Sequence, residues 1–298
     1  MRRILVPLDG GPFAEQALDL AASIASKDRA QLDIVAVHAP LAPMAPDEPL
    51  VQAEAIHTAM RATLVTYAGD LAERTARSYG VTAVATVVNG DPATEIKRFA
   101  SAHQADLVVM CTHGRGPVAR AWLGSVADRL LRTFDGQLLL LRPDTERRTA
   151  PHFRTALVAL DGSALSEMAI PAARELLAPG GTLVLARCVT PVVIVPLAFE
   201  MPIIPPVATT PALHAAAERY LTSTSRRLAN ASVSVRTTLG ESPNTAGWLV
   251  EQARAEQADL IAISTHGRTG FERLVLGSVA DKVIRSADVP VLVCHPRS

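Results

Sequence analysis

The chain has 298 residues, with 29 Lys and Arg, 29 Asp and Glu, and a hydrophobic fraction of 49%. Because the formal net charge is +0, no basic field attracts polyanions, and we expect neither nucleic acid nor an anionic membrane as a partner. The length allows two domains of ordinary size. The apolar composition is typical of parallel sheets covered by helices on both faces.

The first half of the chain alternates short apolar runs with helical patterns. The opening run RRILVPLDGG ends at Asp9 and is followed by the helical pattern AEQALDLAASIA. Next come an apolar run at 31–38, a long amphipathic helix at 51–79 and an alternating run at 81–88. A helix that starts at GDPATEI, the strand ADLVVMC and the strand QLLLLRP complete the half. This order predicts a five-stranded parallel sheet.

The second half repeats the pattern. RTALVALDGS, from Arg154, matches RRILVPLDGG, so Asp161 corresponds to Asp9. LSEMAIPAARELL predicts the first helix, 182–189 the second strand, 213–229 a long helix and 232–239 the third strand. ADLIAIS and PVLVCHP predict the last two strands. A second five-stranded parallel sheet is therefore expected.

Two stretches fall outside this alternation. Residues 143–153, PDTERRTAPHF, are charged and aperiodic, so we predict a linker at 144–153 between a domain at 1–143 and a domain at 154–298. Residues 190–213 are apolar with a single charge, but six prolines exclude a membrane-spanning helix. We expect a long apolar loop there, with the roles of lid, dimer surface and partner site left open.

The three cysteines, Cys111, Cys188 and Cys294, lie in or at the end of predicted strands. Their number and spacing fit neither a disulfide framework nor a zinc site. We interpret them as small buried residues in a reducing compartment. Asp9 interrupts the first apolar run too early for a signal-peptide core, so we expect a cytoplasmic protein.

One loop with fixed glycines occurs twice. THGRGPVARAWLGSVADRLLR begins at Thr112, and THGRTGFERLVLGSVADKVIR begins at Thr265. Glycine lets backbone N–H groups approach a ligand closely, and a Gly-Ser pair directly before VADRLLR or VADKVIR predicts a helix N-terminus that binds an anion. The alternative is that the serine only caps the helix and the glycine only turns the chain.

The position of the repeated loop in the sheet indicates where a ligand would bind. Ligands of open parallel sheets lie at the carboxyl ends of the strands, where the strand order reverses. Asp9 and Asp161 end the first strands, and His113 and His266 follow the fourth strands. If the first and fourth strands are neighbours, the loop overhangs the site. The loop is neither a Walker motif nor a dinucleotide fingerprint.

These residues resemble the universal stress proteins. Nucleotide-binding members of that family carry G-x-x-G, nine residues and G-[ST], after an Asp at the end of the first strand. The glycines and serines that match the motif are Gly114, Gly124, Ser125, Gly267, Gly277 and Ser278. The resemblance covers essentially the whole chain twice. It implies two doubly wound three-layer α/β/α domains with strand order 3-2-1-4-5, related by a pseudo-two-fold axis and paired through strands at 138–141 and 291–293.

The resemblance also implies an adenine-nucleotide site in each half. The residues expected at the first site are Pro7, Leu8, Asp9, Ala39, Cys111, His113, Gly114, Arg115, Gly124, Ser125 and Val126. The residues expected at the second site are Ala159, Leu160, Asp161, Val189, Ser264, His266, Gly267, Arg268, Gly277, Ser278 and Val279. The implied cofactor is ATP, with or without Mg²⁺, and no catalytic or metal-ligating residue is expected.

The two halves depart from the motif in different ways. Its leading glycine is Cys111 in the first half and Ser264 in the second, and the first half has Pro117 where the second has Gly270. We therefore expect the second half to bind ATP at least as tightly as the first.

The implied function is an ATP-binding stress-response sensor or regulator that acts through a protein partner. Two alternatives stay open: a nucleotide-free interaction or scaffold protein with a structural loop, and a slow ATP hydrolase. His113 and His266 are interpreted as loop or ligand-contacting residues, because no nucleophile with a partner acid accompanies them. Both a homodimer of tandem chains and a pseudo-dimeric monomer fit the resemblance.

Overall fold

A computed structural model describes residues 2–39, 50–112, 123–142, 153–191, 210–228, 233–265 and 276–296. The contacts among them divide the chain into two units. The first unit contains the elements before residue 143 together with the last strand, and the second contains the elements between residues 153 and 286. Residues 144–152 of the predicted linker, most of the Pro-rich stretch and most of the repeated loop in each half lie outside the described residues, whereas Phe153, the last residue of that linker, begins a strand.

A parallel sheet forms the centre of the first unit. Its strands are β1 (Arg3–Leu8), β2 (Gln31–His38), β3 (Thr82–Asn89), β4 (Leu107–Cys111) and β5 (Gln137–Leu141). The helices between them are α1 (Pro12–Asp28), α2 (Leu50–Tyr79), α3 (Pro92–Ala102) and α4 (Ser125–Thr133). The order β3-β2-β1-β4-β5, with every pair parallel, confirms the predicted order for this half.

The second unit repeats this arrangement. Its strands are β6 (Phe153–Ala159), β7 (Leu177–Val189), β8 (Ser234–Glu241) and β9 (Leu260–Ser264). Its helices are α5 (Ala164–Glu167), α6 (Ala169–Leu176), α7 (Thr210–Leu228), α8 (Thr245–Ala255) and α9 (Ser278–Ser286). The strands are parallel in the order β8-β7-β6-β9, so the first and fourth strands of this repeat are neighbours, as expected.

The first helix of the second repeat is interrupted, although its sequence predicts one continuous helix. It ends at Glu167 and resumes at Ala169. Pro171 has no N–H to donate to the carbonyl of Glu167, and its ring would collide with that carbonyl in a continuous helix. The proline therefore divides the predicted helix into α5 and α6.

The last strand of the chain, β10 (Val291–Cys294), belongs to the first unit and runs antiparallel to β5. Leu292 lies opposite Leu139, and Val293 lies opposite Leu138. Leu139 and Leu292 are both 0% exposed, so the pairing buries apolar side chains from both strands. The expected pairing between the last strands of the two repeats is therefore confirmed.

A repeated aspartate joins the first and fourth strands of each half at their N-terminal ends. In the first unit, Asp106 Oδ2 accepts a hydrogen bond of 3.0 Å from the backbone N–H of Arg3. In the second unit, the carboxylate of Asp259 accepts bonds of 2.8 Å from Arg154 and 3.0 Å from Thr155. The Ala-Asp pair that precedes the fourth strand in both halves is therefore structural.

Replacing Asp259 with Ala should destabilise the second unit. The change removes two hydrogen bonds to a charged acceptor, and for a half-buried carboxylate we expect the free energy of unfolding to fall by about 2 kcal/mol. Asp259→Asn keeps an acceptor oxygen and should cost less. Urea unfolding checks both variants, and a change in Asp259→Ala below about 0.5 kcal/mol contradicts the structural role.

Among the helices in the described part of the chain, none combines the length and the apolar character needed to cross a bilayer.

Candidate functional site

The second unit has a cavity of about 220 Å³ at the switch point of its sheet. The carboxyl ends of β6, β7 and β9 and the first turns of α8 and α9 surround it. Its lining residues are Ala159, Leu160, Asp161, Ser166, Cys188, Thr245, Leu249, Ile263, Ser264, Thr265, Gly277, Ser278, Val279 and Ala280. The cavity therefore lies where the sequence places a ligand site.

Asp161 is held at the cavity by a tight turn after β6. Its Oδ1 atom accepts a hydrogen bond of 2.8 Å from the backbone N–H of Ser163. Gly162 between them has a φ of +88°, a conformation that favours glycine. The first repeat forms the same turn, in which Asp9 Oδ1 accepts a bond of 2.8 Å from the N–H of Gly11. The Asp-Gly pair thus orients a carboxylate beside the switch point in both halves.

Gly277 is the N-cap of α9 and lies against the end of β9. Its N–H donates to the carbonyl of Thr265 at 2.9 Å, and a Cβ atom on Gly277 would lie 2.8 Å from that carbonyl oxygen. Its φ is −59°, a conformation open to any residue, so glycine is not needed here for a positive φ. Glycine is required here because a side chain would collide with the backbone of Thr265.

The first turn of α9 faces the cavity. The first bond within the helix runs from the N–H of Asp281 to the carbonyl of Gly277, at 3.0 Å. The N–H groups of Ser278, Val279 and Ala280 therefore have no acceptor within the helix, and all three residues line the cavity. Such a helix end attracts an anion through its N–H groups and its dipole.

The alternative that the serine only caps the helix is wrong in both repeats. Gly277 and Gly124 occupy the N-cap positions of α9 and α4, and neither helix has a side-chain capping bond. Ser278 and Ser125 are the first helical residues instead. Their hydroxyl groups are therefore not used to cap the helices.

The rest of the repeated motif stabilises the helix surface. Arg132 pairs with Asp128 in α4, and Arg285 pairs with Asp281 in α9, each at 3.0 Å and four residues apart. Gly124 also matches Gly277, because its N–H donates to the carbonyl of Thr112 at 2.6 Å. The glycine before the helix and the ion pair on the helix therefore have the same local geometry in both repeats.

The first residue of the motif differs between the repeats. Cys111 donates from its thiol to the carbonyl of Phe13 at 2.7 Å, and burial raises the pKa of that thiol to about 12. Ser264, at the corresponding position, is 7% exposed and lines the cavity. Its hydroxyl has no hydrogen-bond partner among the described residues.

The structure brings most of the described residues expected at the second site to the cavity. Val189 ends β7 but is not among the lining residues. In the first unit, Pro7 and Leu8 end β1, Asp9 follows it, and Ala39 is exposed after β2. Cys111 ends β4, and Gly124, Ser125 and Val126 surround the start of α4. The expected residues outside the described part of the chain are His113, Gly114, Arg115, His266, Gly267 and Arg268.

Several residues that line the cavity were not expected from the sequence. They are Ser166, Cys188, Thr245, Leu249, Ile263, Thr265 and Ala280. Adjacent strand residues point to opposite faces, so at the end of β7 either Cys188 or Val189 can face the cavity, and it is Cys188 that does. Thr245 begins α8, which directly follows β8. Its position at the carboxyl ends of the parallel strands could therefore also have been inferred.

Cys188 corrects the interpretation that all three cysteines are buried. Cys111 and Cys294 are buried, but Cys188 is partly exposed and lines the cavity. Its Sγ atom lies 3.7 Å from the carbonyl of Ser242, and burial raises the pKa of the thiol. It is therefore a natural position for a chemical probe of the cavity.

Alkylation should modify Cys188 before the other two thiols. The thiolate is the nucleophile, so its raised pKa should make Cys188 react more slowly than an ordinary exposed cysteine at pH 8, and faster as the pH rises further. Cys111 should stay unmodified, because it is buried and its pKa is about 12. Peptide mass spectrometry after timed iodoacetamide treatment checks the order, and faster modification of Cys111 contradicts it.

The fold and the site together define a class of protein, a tandem α/β protein with a cavity at the switch point of a parallel sheet. A sequence model of the universal stress protein family matches residues 1–142 and again residues 152–295. The chain therefore belongs to the universal stress protein family and contains two of its domains in tandem.

The known proteins similar to the chain include one that matches nearly its full length. A universal stress protein of Mycolicibacterium smegmatis is 28% identical over 306 residues, which cover 99% of this chain and 97% of that protein. A relative from Mycobacterium tuberculosis H37Rv is 30% identical over 194 residues, 65% of this chain and 63% of the relative. The crystal structure of a universal stress protein from Archaeoglobus fulgidus gives a TM-score of 0.73 at 17% identity, with 98% of both chains covered. That structural likeness supports the doubly wound fold.

Proposed function

We propose that the cavity of the second unit binds an adenine nucleotide, ATP, and that the protein acts as a stress-response sensor or regulator. One observation carries the proposal: the cavity lies between the carboxylate of Asp161 and the uncapped first turn of α9. A ligand with a neutral hydrogen-bonding part and an anionic part matches these two ends.

The chemistry of the lining residues indicates how the ligand is oriented in the cavity. Asp161 accepts hydrogen bonds and repels anions, so it suits the amine or hydroxyl groups of a nucleoside rather than its phosphates. Leu160, Leu249 and Ile263 supply apolar surface for a base. The cavity is smaller than the 300 Å³ or more that is usual for an enclosed ligand. We therefore place the nucleoside in the cavity and the phosphates at Ser278.

Mg²⁺ has a limited part in this proposal. Among the described residues, no group of three or more His, Cys, Asp or Glu side chains could hold a metal ion. Magnesium is commonly bound through substrate phosphates with one or two carboxylates and water. We propose that any Mg²⁺ arrives with the nucleotide and is held mainly by its phosphates.

We infer the regulatory role from the position of the cavity at the carboxyl ends of the strands. A bound nucleotide would change the surface around the cavity mouth, and a protein partner would bind the occupied and the empty forms with different affinities. We place this activity in the cytoplasm, because the free thiols of the three cysteines suit a reducing compartment.

Nucleotide carried by the purified protein tests the proposal. Denaturing the full chain and analysing the released small molecules by mass spectrometry should yield adenine nucleotide, and nucleotide-free protein should bind ATP in calorimetry. No released nucleotide and no binding at millimolar ATP would favour the scaffold alternative. Steady turnover far above background would favour the hydrolase.

The second half should bind ATP at least as tightly as the first. We propose this because the Cys111 thiol is bonded to Phe13, whereas the Ser264 hydroxyl has no hydrogen-bond partner among the described residues. The comparison needs the full chain, because β10 belongs to the first unit. Calorimetry should give the Gly124→Val variant an ATP affinity no weaker than that of the Gly277→Val variant. Tight binding only by the Gly277→Val variant would reverse the assignment.

A further inference from the structure

The Ser264 hydroxyl is a buried polar group that forms no hydrogen bond within the described part of the chain. Ser264 is 7% exposed, and its Oγ atom has no partner among the described residues. Leaving such a group unpaired costs free energy, and buried hydroxyls in folded proteins are nearly always bonded. A residue of this kind at a ligand cavity indicates a contact that the ligand completes.

Another serine at the same cavity behaves differently. Ser166 Oγ donates to the carbonyl of Ser163 at 2.8 Å and accepts from the N–H of Asp161 at 3.3 Å. Its hydroxyl stabilises the turn that carries Asp161. Lining the cavity therefore does not by itself leave a hydroxyl without a partner in the protein, and Ser264 requires its own explanation.

Ser264 lies at the anion-binding end of the cavity. It is the last residue of β9, and the next residue, Thr265, accepts the N–H of Gly277 at the start of α9. Ser264 is therefore one residue from the contact between Thr265 and the uncapped helix end. A hydroxyl donor at this position complements a negatively charged oxygen.

We infer that the Ser264 hydroxyl donates a hydrogen bond to the nucleotide phosphate nearest the nucleoside. The inference rests on the proposed function, and it makes Ser264 a residue that determines ligand specificity. The serine that replaces the leading glycine of the motif then adds a hydrogen-bond donor and does not block the phosphate. Cys111 cannot act in this way in the first repeat while its thiol is bonded to the carbonyl of Phe13.

The test compares ligands that differ in the phosphate, using Ser264→Ala in the full chain. Protection of Cys188 from iodoacetamide, read by peptide mass spectrometry, reports occupancy of the second unit alone, because Cys188 lines this cavity. We expect the apparent affinities for ATP and AMP to fall by about ten- to a hundredfold, which corresponds to one charge-assisted hydrogen bond. The affinity for adenosine should stay the same.

Three controls isolate the hydroxyl. Ser223→Ala removes an exposed hydroxyl of α7 and should leave every affinity unchanged. Ser264→Gly should behave like Ser264→Ala, whereas tighter ATP binding by Ser264→Gly would show that the side chain obstructs the phosphate. Without ligand, Ser264→Ala should melt no lower than the unaltered chain, because it removes a buried hydroxyl that has no partner in the residues that the structure describes. A purely structural serine would lower the melting temperature.

The outcomes separate this inference from the proposed function. If the unaltered chain is protected by ATP and Ser264→Ala is protected equally, the inference is wrong and the nucleotide site stands. An equal loss of affinity for adenosine would also overturn it, because the contact would then be to the nucleoside. If no ligand protects Cys188 in the unaltered chain, both the inference and the proposed function fail.

Discussion

Replacing Gly277 with Val and Ser278 with Ala together should abolish nucleotide binding by the second unit. A Cβ atom at position 277 would lie 2.8 Å from the carbonyl oxygen of Thr265, so valine must displace the start of α9 from the end of β9. The N–H groups of the first turn would then no longer face the cavity in their present arrangement. Loss of the Ser278 hydroxyl removes a further donor to the phosphates, and the combined loss should be about a hundredfold or more.

The readout is the increase in melting temperature that ATP produces, because a ligand that binds only the folded state raises its stability. Circular dichroism should show that the fold of the variant persists. The matched control, Gly124→Val with Ser125→Ala, makes the same change in the first repeat and should leave ATP protection of Cys188 intact.

Ser278→Ala alone separates binding from folding, because it leaves the contact between Gly277 and Thr265 unchanged. Ser278 does not cap α9, so its loss should cost the fold little, while ATP affinity should fall by about tenfold or more. Unaltered ATP affinity in both Ser278→Ala and the double variant would show that the phosphates bind elsewhere.

Truncating Leu139 and Leu292 should cause the largest losses of stability. Both side chains are 0% exposed and lie directly opposite each other on β5 and β10. Each change to Ala should lower the free energy of unfolding of the first unit by about 2–5 kcal/mol, through lost burial and the cavity left behind. Because facing side chains interact directly, the double variant should show a coupling energy of about 0.5–3 kcal/mol.

A pair of residues on distant strands provides the control. Ile34 in β2 is also 0% exposed, but β1, β4 and β5 lie between β2 and β10. The two strands are roughly 19 Å apart, so the effects of Ile34→Ala and Leu292→Ala on the free energy of unfolding should be additive. Hydrogen exchange of β5 amides gives the opening free energies for each variant. Additivity of Leu139→Ala with Leu292→Ala would contradict the strand pairing.

The repeated architecture was predictable because local sequence patterns indicate its strands and helices. Alternation of apolar runs with helical periodicity gave ten strands, and the Asp-Gly and Gly-Ser pairs placed the site at the ends of the first and fourth strands. The pairing of β5 with β10 followed from the resemblance, since residues about 150 positions apart share no local signal. The pairing of these distant strands was therefore predictable only because the chain resembles a family in tandem.

The details that escaped prediction depend on tertiary neighbours. The collision that requires glycine at position 277 involves the backbone of Thr265, which is adjacent only in the folded chain. The exposure of Cys188 likewise depends on what packs around it, as does the lack of a partner for the Ser264 hydroxyl among the described residues. The break at Met168, by contrast, follows from Pro171 and could have been predicted from the sequence.

Protection of Cys188 by ATP in the unaltered full chain tests the central claim most directly, because this thiol lines the proposed nucleotide cavity. With ATP at about a hundred times its dissociation constant, we predict that iodoacetamide modifies Cys188 about a hundredfold more slowly, in proportion to the empty fraction of the site. GTP at the same concentration should protect less, because the proposed site is for adenine. Modification of Cys188 at the same rate with and without millimolar ATP would contradict the account.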